Sequence, residues 1–451
     1  MLTQVELCAQ IVTMRQKDVD KECDEMKQNR LLEKMFEKER WEELINKAVL
    51  KDIDKGELRK LCDPKVRAYI YAKIKNEEIE FAPSHMAQIP KDTPGEYRTV
   101  FIGENVDRVL QSLINDCLFE LFPEMVHPSC KSYQKGLGTG KTVQQLSVLL
   151  PSIKGNIVGV KSDFHHYFDT VSLDAIMNVF DTIEAKLGFA KGTEPVMNLL
   201  RKSWQNDLVF DLDGNLVKQY CGIRQGNAIG SFLADVILYE LDDFMSKKYK
   251  FYCRYSDDCV TVHNNPNEII NDMNSIITKY GVWLNPKKIE VLYKDKWFKF
   301  LGFNLKDDMI TLSKSRVKTF QKEIDARTIK QKNMSMKKAK NNVIRFLYKG
   351  DGTYSWATSV LPIVNVERDI NTLNSYVMDC IRACETGKKR IGGLGSAVDR
   401  KDFTILRGTG RNVKTNKEKT AKQIAGYYSL GCMRNALLTR RAVYDTLVRA
   451  M

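Results

Sequence analysis

Apolar residues recur at helical spacing through the first 80 positions of the chain, which contain almost no glycine or proline. One helix face carries Leu31, Leu32, Met35, Trp41, Leu44 and Ile45. This period is typical of amphipathic helices with a charged outer face. We therefore predict a helical region over 1–80. A coiled-coil arm is the less favoured alternative, because no heptad repeat persists over several turns.

Between residues 81 and 310 the pattern changes to short β-branched or aromatic runs that alternate with amphipathic helices. Strands are predicted at 98–102, 157–160, 208–212, 216–220, 252–255 and 259–262, and helices at 105–122, 172–187 and 229–248. Ser172 is a helix-capping residue, and Asp213-Gly214 is the turn signal of a hairpin. The mixture predicts an α+β fold for this part of the chain.

Beyond residue 311 the pattern is mainly helical, and the charge becomes strongly positive. Residues 311–451 hold 29 Lys and Arg against 11 Asp and Glu, a net charge of +18. Residues 1–310 hold 42 against 46, a net charge of −4. A near-neutral body with a basic C-terminal third favours a polyanionic partner such as nucleic acid. A basic surface that only confers solubility is the alternative.

The composition excludes several classes of protein. A hydrophobic content of 43% over 451 residues supports packed cores in about three domains. No apolar run reaches the roughly 18 residues of a membrane-spanning helix, and the N-terminus does not resemble a secretory signal. Eleven cysteines without a Cys-x-x-Cys pair predict reduced thiols in a cytoplasmic protein, ahead of a zinc site or a disulfide framework.

Adjacent aspartates occur at three places in the chain. Asp242-Asp243 lies on the polar side of a predicted helix and is expected to face solvent, and Asp307-Asp308 lies in a predicted turn. Asp257-Asp258 differs because short strands flank it on both sides. A tight hairpin would hold these two carboxylates rigidly beside the core. For this pair considered alone, a charged turn without chemistry is the alternative.

Rigid neighbouring carboxylates repel each other, so keeping both ionised requires a cation, usually Mg²⁺ or Mn²⁺ among oxygen ligands. Asp163 offers a third carboxylate just after the strand at 157–160, although it precedes Asp257 by 94 residues. Two metal ions held by such acids can activate an attacking hydroxyl and stabilise a leaving phosphate. The sequence therefore predicts a two-metal site if the fold brings the three acids together.

Seven motifs, in order, resemble the fingers and palm of reverse transcriptases. The matching segments are 88–98, 107–111, 161–169, 224–234, the Tyr-x-Asp-Asp box at 255–258, 284–288 and 300–303. The box alone is moderately specific, whereas the ordered set is strongly specific. The resemblance implies an α+β right-hand polymerase. Its expected parts are an N-terminal helical region at 1–80, fingers at 81–155, palm at 156–310, a basic helical thumb at 311–355 and a basic helical extension at 356–451.

The resemblance also implies roles for the charged residues of the palm. Asp163, Asp257 and Asp258 would hold two Mg²⁺ ions, with Mn²⁺ as the alternative. Asp163 and Asp257 are the first choice as direct ligands. Lys288 would donate a proton to the leaving pyrophosphate, although Lys287 is equally placed in the sequence.

Other residues would bind the incoming deoxynucleoside triphosphate. Lys91 and Arg98 would hold the triphosphate, for which the planar fork of arginine is well suited. Phe168 would stack beneath the sugar and exclude a 2′-hydroxyl, and packing in the core is its alternative role. The remaining residues expected to line the pocket are Gln225, Gly226 and Tyr255.

The basic thumb would contact the phosphate backbone of a nucleic-acid duplex. The side chains expected to do so are Lys314, Arg316, Lys318, Lys337, Lys338, Lys340, Arg345 and Lys349. Such contacts give affinity but no sequence readout. A noncoding RNA partner would use the C-terminal extension together with the N-terminal helices.

The compact chain is most similar to bacterial reverse transcriptases, and among them to abortive-infection and other defence-associated enzymes. This resemblance implies an RNA-directed DNA polymerase that makes cDNA from an associated noncoding RNA in defence against phage. Its expected partners are the RNA template, the DNA product and deoxynucleoside triphosphates, without a membrane. The alternatives are a group II intron or retron enzyme, an untemplated or protein-primed DNA polymerase, an RNA-templated RNA polymerase, and a catalytically silent RNA-binding scaffold.

Overall fold

The computed structural model describes residues 30–91, 95–133, 139–220, 222–348, 355–391 and 430. Lys349, the first part of the predicted N-terminal region and most of the predicted C-terminal extension lie outside the described residues. Every helix within the described ranges is too short or too polar to cross a membrane.

Helices and short strands alternate through the described ranges. The helices are α1 (Arg30–Met35), α2 (Lys38–Glu43), α3 (Lys55–Leu61), α4 (Pro64–Lys75), α5 (Asn105–Leu121), α6 (Thr139–Leu149), α7 (Tyr167–Thr170), α8 (Leu173–Leu187), α9 (Pro195–Asn206), α10 (Gly230–Val236), α11 (Tyr239–Lys248), α12 (Pro266–Ile277), α13 (Lys314–Arg327), α14 (Met336–Tyr348) and α15 (Glu367–Thr386). The strands are β1 (Ser84–Pro90), β2 (Tyr97–Ile102), β3 (Ile157–Asp163), β4 (Leu208–Phe210), β5 (Leu216–Lys218), β6 (Phe251–Tyr255), β7 (Asp258–Val262), β8 (Glu290–Tyr293), β9 (Phe298–Phe300), β10 (Phe303–Lys306) and β11 (Met309–Leu312).

Short helices occupy the described part of the N-terminal region, as predicted. Asp54 begins α3 because its side chain accepts hydrogen bonds from the backbone N–H groups of Gly56 and Glu57. Asp63 caps α4 in the same way and is followed by a proline at the first helical position. Of the apolar residues predicted to share a face, Leu31, Leu32, Met35, Trp41 and Leu44 are buried and Ile45 is partly buried.

A four-stranded sheet has the order β2-β1-β4-β5, and its strands come from both sides of the segment 161–169 in the chain. β1 and β2 pair antiparallel, and the predicted hairpin forms β4 and β5. β4 is shorter than predicted because the Asp211 side chain accepts hydrogen bonds from the backbone N–H groups of Asp213 and Asn215 inside the turn. β5 ends at Lys218, two residues earlier than predicted. Gly214 completes this turn with a φ of 83°, a conformation that favours glycine.

The second sheet has the order β6-β7-β3-β8 and is antiparallel throughout. Its strands confirm the predictions at 157–160, 252–255 and 259–262. The helix predicted from Ser172 is confirmed as α8, whose first turn is capped by the Ser172 hydroxyl accepting from the N–H of Ala175. Its apolar face lies in the main core together with the buried residues of α9 to α12.

The helix predicted at 229–248 is in fact two helices, α10 and α11, with a break after Val236. The break has a physical reason, because the backbone carbonyls of Ala234 and Asp235 accept hydrogen bonds from the guanidinium of Arg254. A side chain from the neighbouring strand thus satisfies carbonyl groups where the regular helix is interrupted.

The basic helices α13 and α14 belong to a second apolar core. This core also contains α15, the three-stranded sheet β11-β10-β9 and buried residues of α6. The predicted division between residues 355 and 356 therefore falls inside one apolar cluster, since Trp356 packs at 4.7 Å against the ring of Phe320 in α13. The predicted division at residues 310 and 311 likewise falls within β11.

Candidate active site

The palm sheet brings together acids that lie far apart in the sequence. β3 and β7 pair antiparallel with Asp163 directly opposite Asp258. Directly opposite residues project from the same face of a sheet. The side chains of Asp163 and Asp258 therefore share one face at the end of the paired strands.

Asp257 lies in the turn that joins β6 to β7, beside these two acids. The preceding residue, Ser256, has a φ of 57°, which is uncommon for a residue with a side chain. The carbonyl oxygen of Asp257 accepts a hydrogen bond of 3.2 Å from the backbone N–H of Phe164, the residue after Asp163. The three predicted acids thus lie at one edge of the sheet.

Burial and the neighbouring acids both affect the pKa of Asp257. Burial raises the pKa of the Asp257 carboxyl above its usual value, and the neighbouring charges of Asp163 and Asp258 raise it further. A carboxyl in this position is stabilised in its charged form by any added positive charge.

Two lysines supply positive charge to this acidic edge. Lys288 Nζ donates to both carboxylate oxygens of Asp163 at 2.9 Å. Burial alone would lower the pKa of Lys288, but the hydrogen bond and the charge of Asp163 outweigh it and raise the pKa. Lys161, on β3, lies 3.4 Å from Asp258. Sequence reasoning singled out Lys288 but missed Lys161, whose position two residues before Asp163 places it on the same strand face.

The structure does not arrange the three acids as a formed metal cluster. Within the described ranges, no group of three acidic, histidine or cysteine side chains is positioned to hold a metal ion. Both oxygens of Asp163 accept hydrogen bonds from Lys288, and Lys161 lies beside Asp258. The chemistry of the ligands nevertheless fits, since adjacent carboxylates are the hard oxygen ligands that Mg²⁺ binds.

A fully buried ion pair lies beneath the hairpin that carries Asp257. Arg254, in β6, donates to both oxygens of Asp242 in α11, at 2.8 Å through Nε and at 2.6 Å through Nη2. Both side chains are 0% exposed. The prediction that Asp242 faces solvent is wrong, whereas Asp243 does pair with Lys247 at the surface. Burial alone would lower the pKa of Arg254, but the charge of Asp242 outweighs this and raises it.

The predicted nucleotide-pocket residues lie where the palm meets the first sheet. The N–H of Phe101 in β2 donates to the carbonyl oxygen of Gln225 at 2.6 Å. Gly226 has a φ of 101°, and any side chain there would lie 2.7 Å from the Phe101 carbonyl oxygen. Glycine is therefore required at this junction, on grounds of backbone conformation and space.

Phe168 and Tyr255 are both half-buried at the site. The carbonyl of Phe168 accepts a hydrogen bond of 2.6 Å from the N–H of Ile223, two residues before Gln225. The Phe168 ring also contacts the main core, so its two predicted roles are compatible. Tyr255 lies directly opposite Asp258 in the hairpin.

The predicted triphosphate-binding residues lie at the exposed end of the β1–β2 pair. Lys91 is 3.7 Å from Glu96, and its charge also affects Asp169. Burial raises the pKa of Asp169, and the nearby His166 and Lys91 offset only part of this rise. Arg98 is exposed on β2, opposite Ile89. Lys91 therefore interacts electrostatically with α7, the helix that carries Phe168.

The described basic residues of the predicted thumb differ in exposure. Lys314, Lys318, Lys337, Lys338 and Arg345 are exposed, and Lys340 is partly exposed. The guanidinium of Arg316 instead stacks 4.4 Å over the ring of Phe303. The guanidinium of Arg316 is therefore engaged with the protein itself.

Residues 89–305 match the family model for "Reverse transcriptase (RNA-dependent DNA polymerase)". This part of the chain is therefore similar to reverse transcriptase domains, and it has the α+β fold predicted from the sequence. The family uses divalent metal ions in catalysis. No curated protein matches the chain.

Solved structures of yeast telomerases are similar to the chain. Apo telomerase of Candida tropicalis is 13% identical with a TM-score of 0.41, covering 68% of this chain and 58% of that one. Its form truncated from the C-terminal domain is 13% identical with a TM-score of 0.38, covering 54% and 59%. Candida albicans telomerase, solved with a fragment of telomeric RNA, is 14% identical with a TM-score of 0.38, covering 71% and 59%. The chain thus spans about three-fifths of the length of these proteins.

Proposed function

We propose that the chain is an RNA-directed DNA polymerase whose chemistry occurs at Asp163, Asp257 and Asp258. The observation that carries this proposal is the strand register that sets Asp163 opposite Asp258, next to Asp257, within a segment similar to reverse transcriptase domains. A carboxylate edge of this kind is suited to nucleotidyl transfer because it can hold cations beside the reacting phosphate.

The three carboxylates would hold two Mg²⁺ ions, with Mn²⁺ as the alternative. When bound, such ions supply the positive charge that activates the attacking hydroxyl and stabilises the leaving pyrophosphate. Asp163 and Asp257 are the proposed direct ligands. Asp257 supports this role because its raised pKa shows a carboxyl that gains from added positive charge.

Lys288 would protonate the leaving pyrophosphate. A lysine ammonium is protonated at neutral pH, so a proton is available at Nζ. The contact with Asp163 places that proton within hydrogen-bond distance of the proposed metal ligand. Lys287, which is adjacent, has no such contact with Asp163 among the described residues.

Template dependence provides the direct test of the proposed activity. With an RNA template and a paired DNA primer, the protein should incorporate deoxynucleotides in the order dictated by the template. Synthesis that is unchanged without the template would instead support an untemplated polymerase. Absence of synthesis with every template would support an RNA-binding scaffold.

Phe168 provides a prediction about the choice of sugar. Phe168→Ala should raise ribonucleotide relative to deoxyribonucleotide incorporation by at least about tenfold, because the ring would no longer fill the space of a 2′-hydroxyl. Phe168→Tyr retains the ring and serves as the control. Single-nucleotide kinetics with both sugars measure the ratio, and an unchanged ratio would assign Phe168 to core packing alone.

The basic face of α14 would bind the template or the product duplex. Lys337 and Lys338 are exposed while Ala339 and Val343 face the core. Converting Lys337, Lys338 and Lys340 to glutamine should weaken binding to all sequences. The log–log salt slope should fall by about two to three units, since each lost phosphate contact removes roughly 0.7–0.9. Binding titrations at several salt concentrations measure this slope.

Lys186, Lys191 and Lys247 offer a matched control with the same change of charge. Each already pairs with an acidic side chain of the protein, at 2.9 Å, 2.6 Å and 2.7 Å respectively. Their conversion to glutamine should leave the slope unchanged. If the α14 variant behaves like this control, the binding surface lies elsewhere, on the N-terminal helices or at 407–422.

We further propose that the template is a cognate noncoding RNA and that the cytoplasmic enzyme acts in defence against phage. The motif resemblance and the basic C-terminal third support this proposal. Sequencing the RNA and DNA that co-purify with the protein tests it. One enriched small RNA with complementary DNA is expected, whereas an intron or retron transcript would identify a mobile-element enzyme.

A further inference from the structure

The turn that carries Asp257 is attached to the protein through a hydrogen-bonded relay. The backbone N–H of Ser256 donates to the hydroxyl oxygen of Ser132 at 3.0 Å. The hydroxyl of Ser132 in turn donates to Oδ1 of Asp235 in α10. Ser132 and Asp235 are both 0% exposed. The relay therefore connects the catalytic hairpin to α10 through two buried side chains.

The segment that contains Ser132 is itself fixed along β6. Arg254 donates its backbone N–H to the carbonyl of Ser129 at 3.0 Å, and its own carbonyl accepts from the N–H of Lys131 at 2.8 Å. Cys130 forms a parallel bridge with Arg254. These backbone hydrogen bonds hold Ser132 beside the turn, so its position does not depend on the flexibility of a surface loop.

Burying the charge of Asp235 at this position is energetically unfavourable, which suggests that the charge has a structural role. Its Oδ2 atom has no hydrogen-bond partner among the described residues. Burial raises the pKa of Asp235 to about 6, against the opposing charge of Arg254. An apolar or amide side chain would avoid this burial of charge. At neutral pH Asp235 is nevertheless ionised and makes a strong acceptor for Ser132.

The residue held by the relay has a strained backbone. Ser256 has a φ of 57°, and non-glycine residues persist in this region only when their surroundings fix them. Its N–H is the group that Ser132 binds, one residue before Asp257. Loss of the relay would let the turn relax and move the Asp257 carboxylate away from Asp163.

We propose that Ser132 and Asp235 are positioning residues that hold the strained turn so that Asp257 can share a cation with Asp163. Neither residue belongs to the predicted set of site residues. The inference rests on the proposed role of Asp163, Asp257 and Asp258. It adds that the geometry of these acids depends on a relay from α10, the helix that follows Gln225 and Gly226.

Ser132→Ala is the test. Binding of Mn²⁺ to the protein without nucleotide or template should weaken several-fold, and the variant is also assayed for the dependence of DNA synthesis on Mg²⁺ concentration. It should lower kcat by about tenfold, the effect of one hydrogen bond expressed in the transition state. The Mg²⁺ concentration for half-maximal rate should rise several-fold, while KM for the deoxynucleotide should change less than about twofold. Ser132→Cys, which keeps the size but is a weak donor, should act in the same direction and serves if the alanine variant does not fold.

One control separates positioning from a merely structural role. Ser147→Ala removes another buried hydroxyl, which donates to the Gln144 carbonyl at 2.9 Å in α6, and should leave the Mg²⁺ dependence unchanged. Asp235→Asn is a second test, because it removes the charge that makes Asp235 a strong acceptor for Ser132. It should raise the Mg²⁺ concentration for half-maximal rate in the same direction as Ser132→Ala.

An unchanged Mg²⁺ dependence in both Ser132 variants would overturn the proposal, whether or not their stability falls. Failure of the relay proposal can be distinguished from failure of the proposed catalytic site. If the catalytic assignment is wrong, the double variant Asp257→Ala and Asp258→Ala would itself retain synthesis. If the double variant is inactive and the Ser132 variants match the parent, the relay alone is refuted.

Discussion

Replacing Asp257 and Asp258 together by alanine is expected to abolish deoxynucleotide incorporation, with a loss of at least about a thousandfold. The two carboxylates form, with Asp163, the acidic edge at which cations would bind. Without them, Asp163 would remain paired with Lys288. Primer extension with saturating Mg²⁺ and deoxynucleotides measures the loss. Binding of RNA should be largely retained, because the basic helices are unchanged.

The stability of the double variant should separate loss of chemistry from loss of fold. The pKa of Asp257 is raised in the folded protein, so ionising this carboxyl at neutral pH opposes folding. A carboxyl whose pKa is raised by folding contributes stability at low pH, and this stability is lost as the pH rises through the pKa of the folded state. Removing the charge should therefore leave the thermal midpoint in metal-free buffer unchanged or higher.

The Asp307-Asp308 pair supplies a matched control. It is an adjacent pair of aspartates in a turn, between β10 and β11, and its change to alanine removes the same charge. That variant should synthesise DNA at the parental rate. Undiminished synthesis by the Asp257 and Asp258 variant would overturn the assignment of the site.

The strands of the site could be predicted because their signal is local. Alternating or β-branched residues flank Asp257 and Asp258 on both sides, and a turn between two such runs forms a hairpin. The pairing of Asp163 with Asp258 is not local, and the sequence did not predict it. The pattern of flanking strands identified three candidate acids. The resemblance to reverse transcriptases implied that these acids meet at one site.

Asp242 shows why the rest of the site could not be predicted. A carboxylate at a polar position of an amphipathic helix is expected to face solvent, and its neighbour Asp243 does pair at the surface. The burial of Asp242 depends on Arg254, which arrives from a strand twelve residues later in the chain. The same guanidinium binds the carbonyls at the break between α10 and α11, so one unforeseen ion pair accounts for both errors.

Breaking this ion pair is the second large effect expected. Arg254→Met should destabilise the fold by about 3–5 kcal/mol, because it leaves the carboxylate of Asp242 buried without its partner. The variant also leaves the carbonyl of Asp235 without its donor from Arg254. The shift in the free energy of unfolding, followed by denaturant titration, measures this loss.

The double variant Arg254→Met and Asp242→Leu distinguishes an ion pair from general packing. Removing both charges eliminates the unpaired carboxylate, so the double variant should recover at least about 2 kcal/mol relative to Arg254→Met. The recovery should be incomplete, since Tyr252 loses its acceptor and the carbonyls near the helix break lose their donor. Activity should not recover with stability, because Arg254 also donates to the carbonyl of Ser256 within the catalytic turn at 3.3 Å. Simple additivity of the two single variants would instead show that the charges of Arg254 and Asp242 are not coupled in the folded protein.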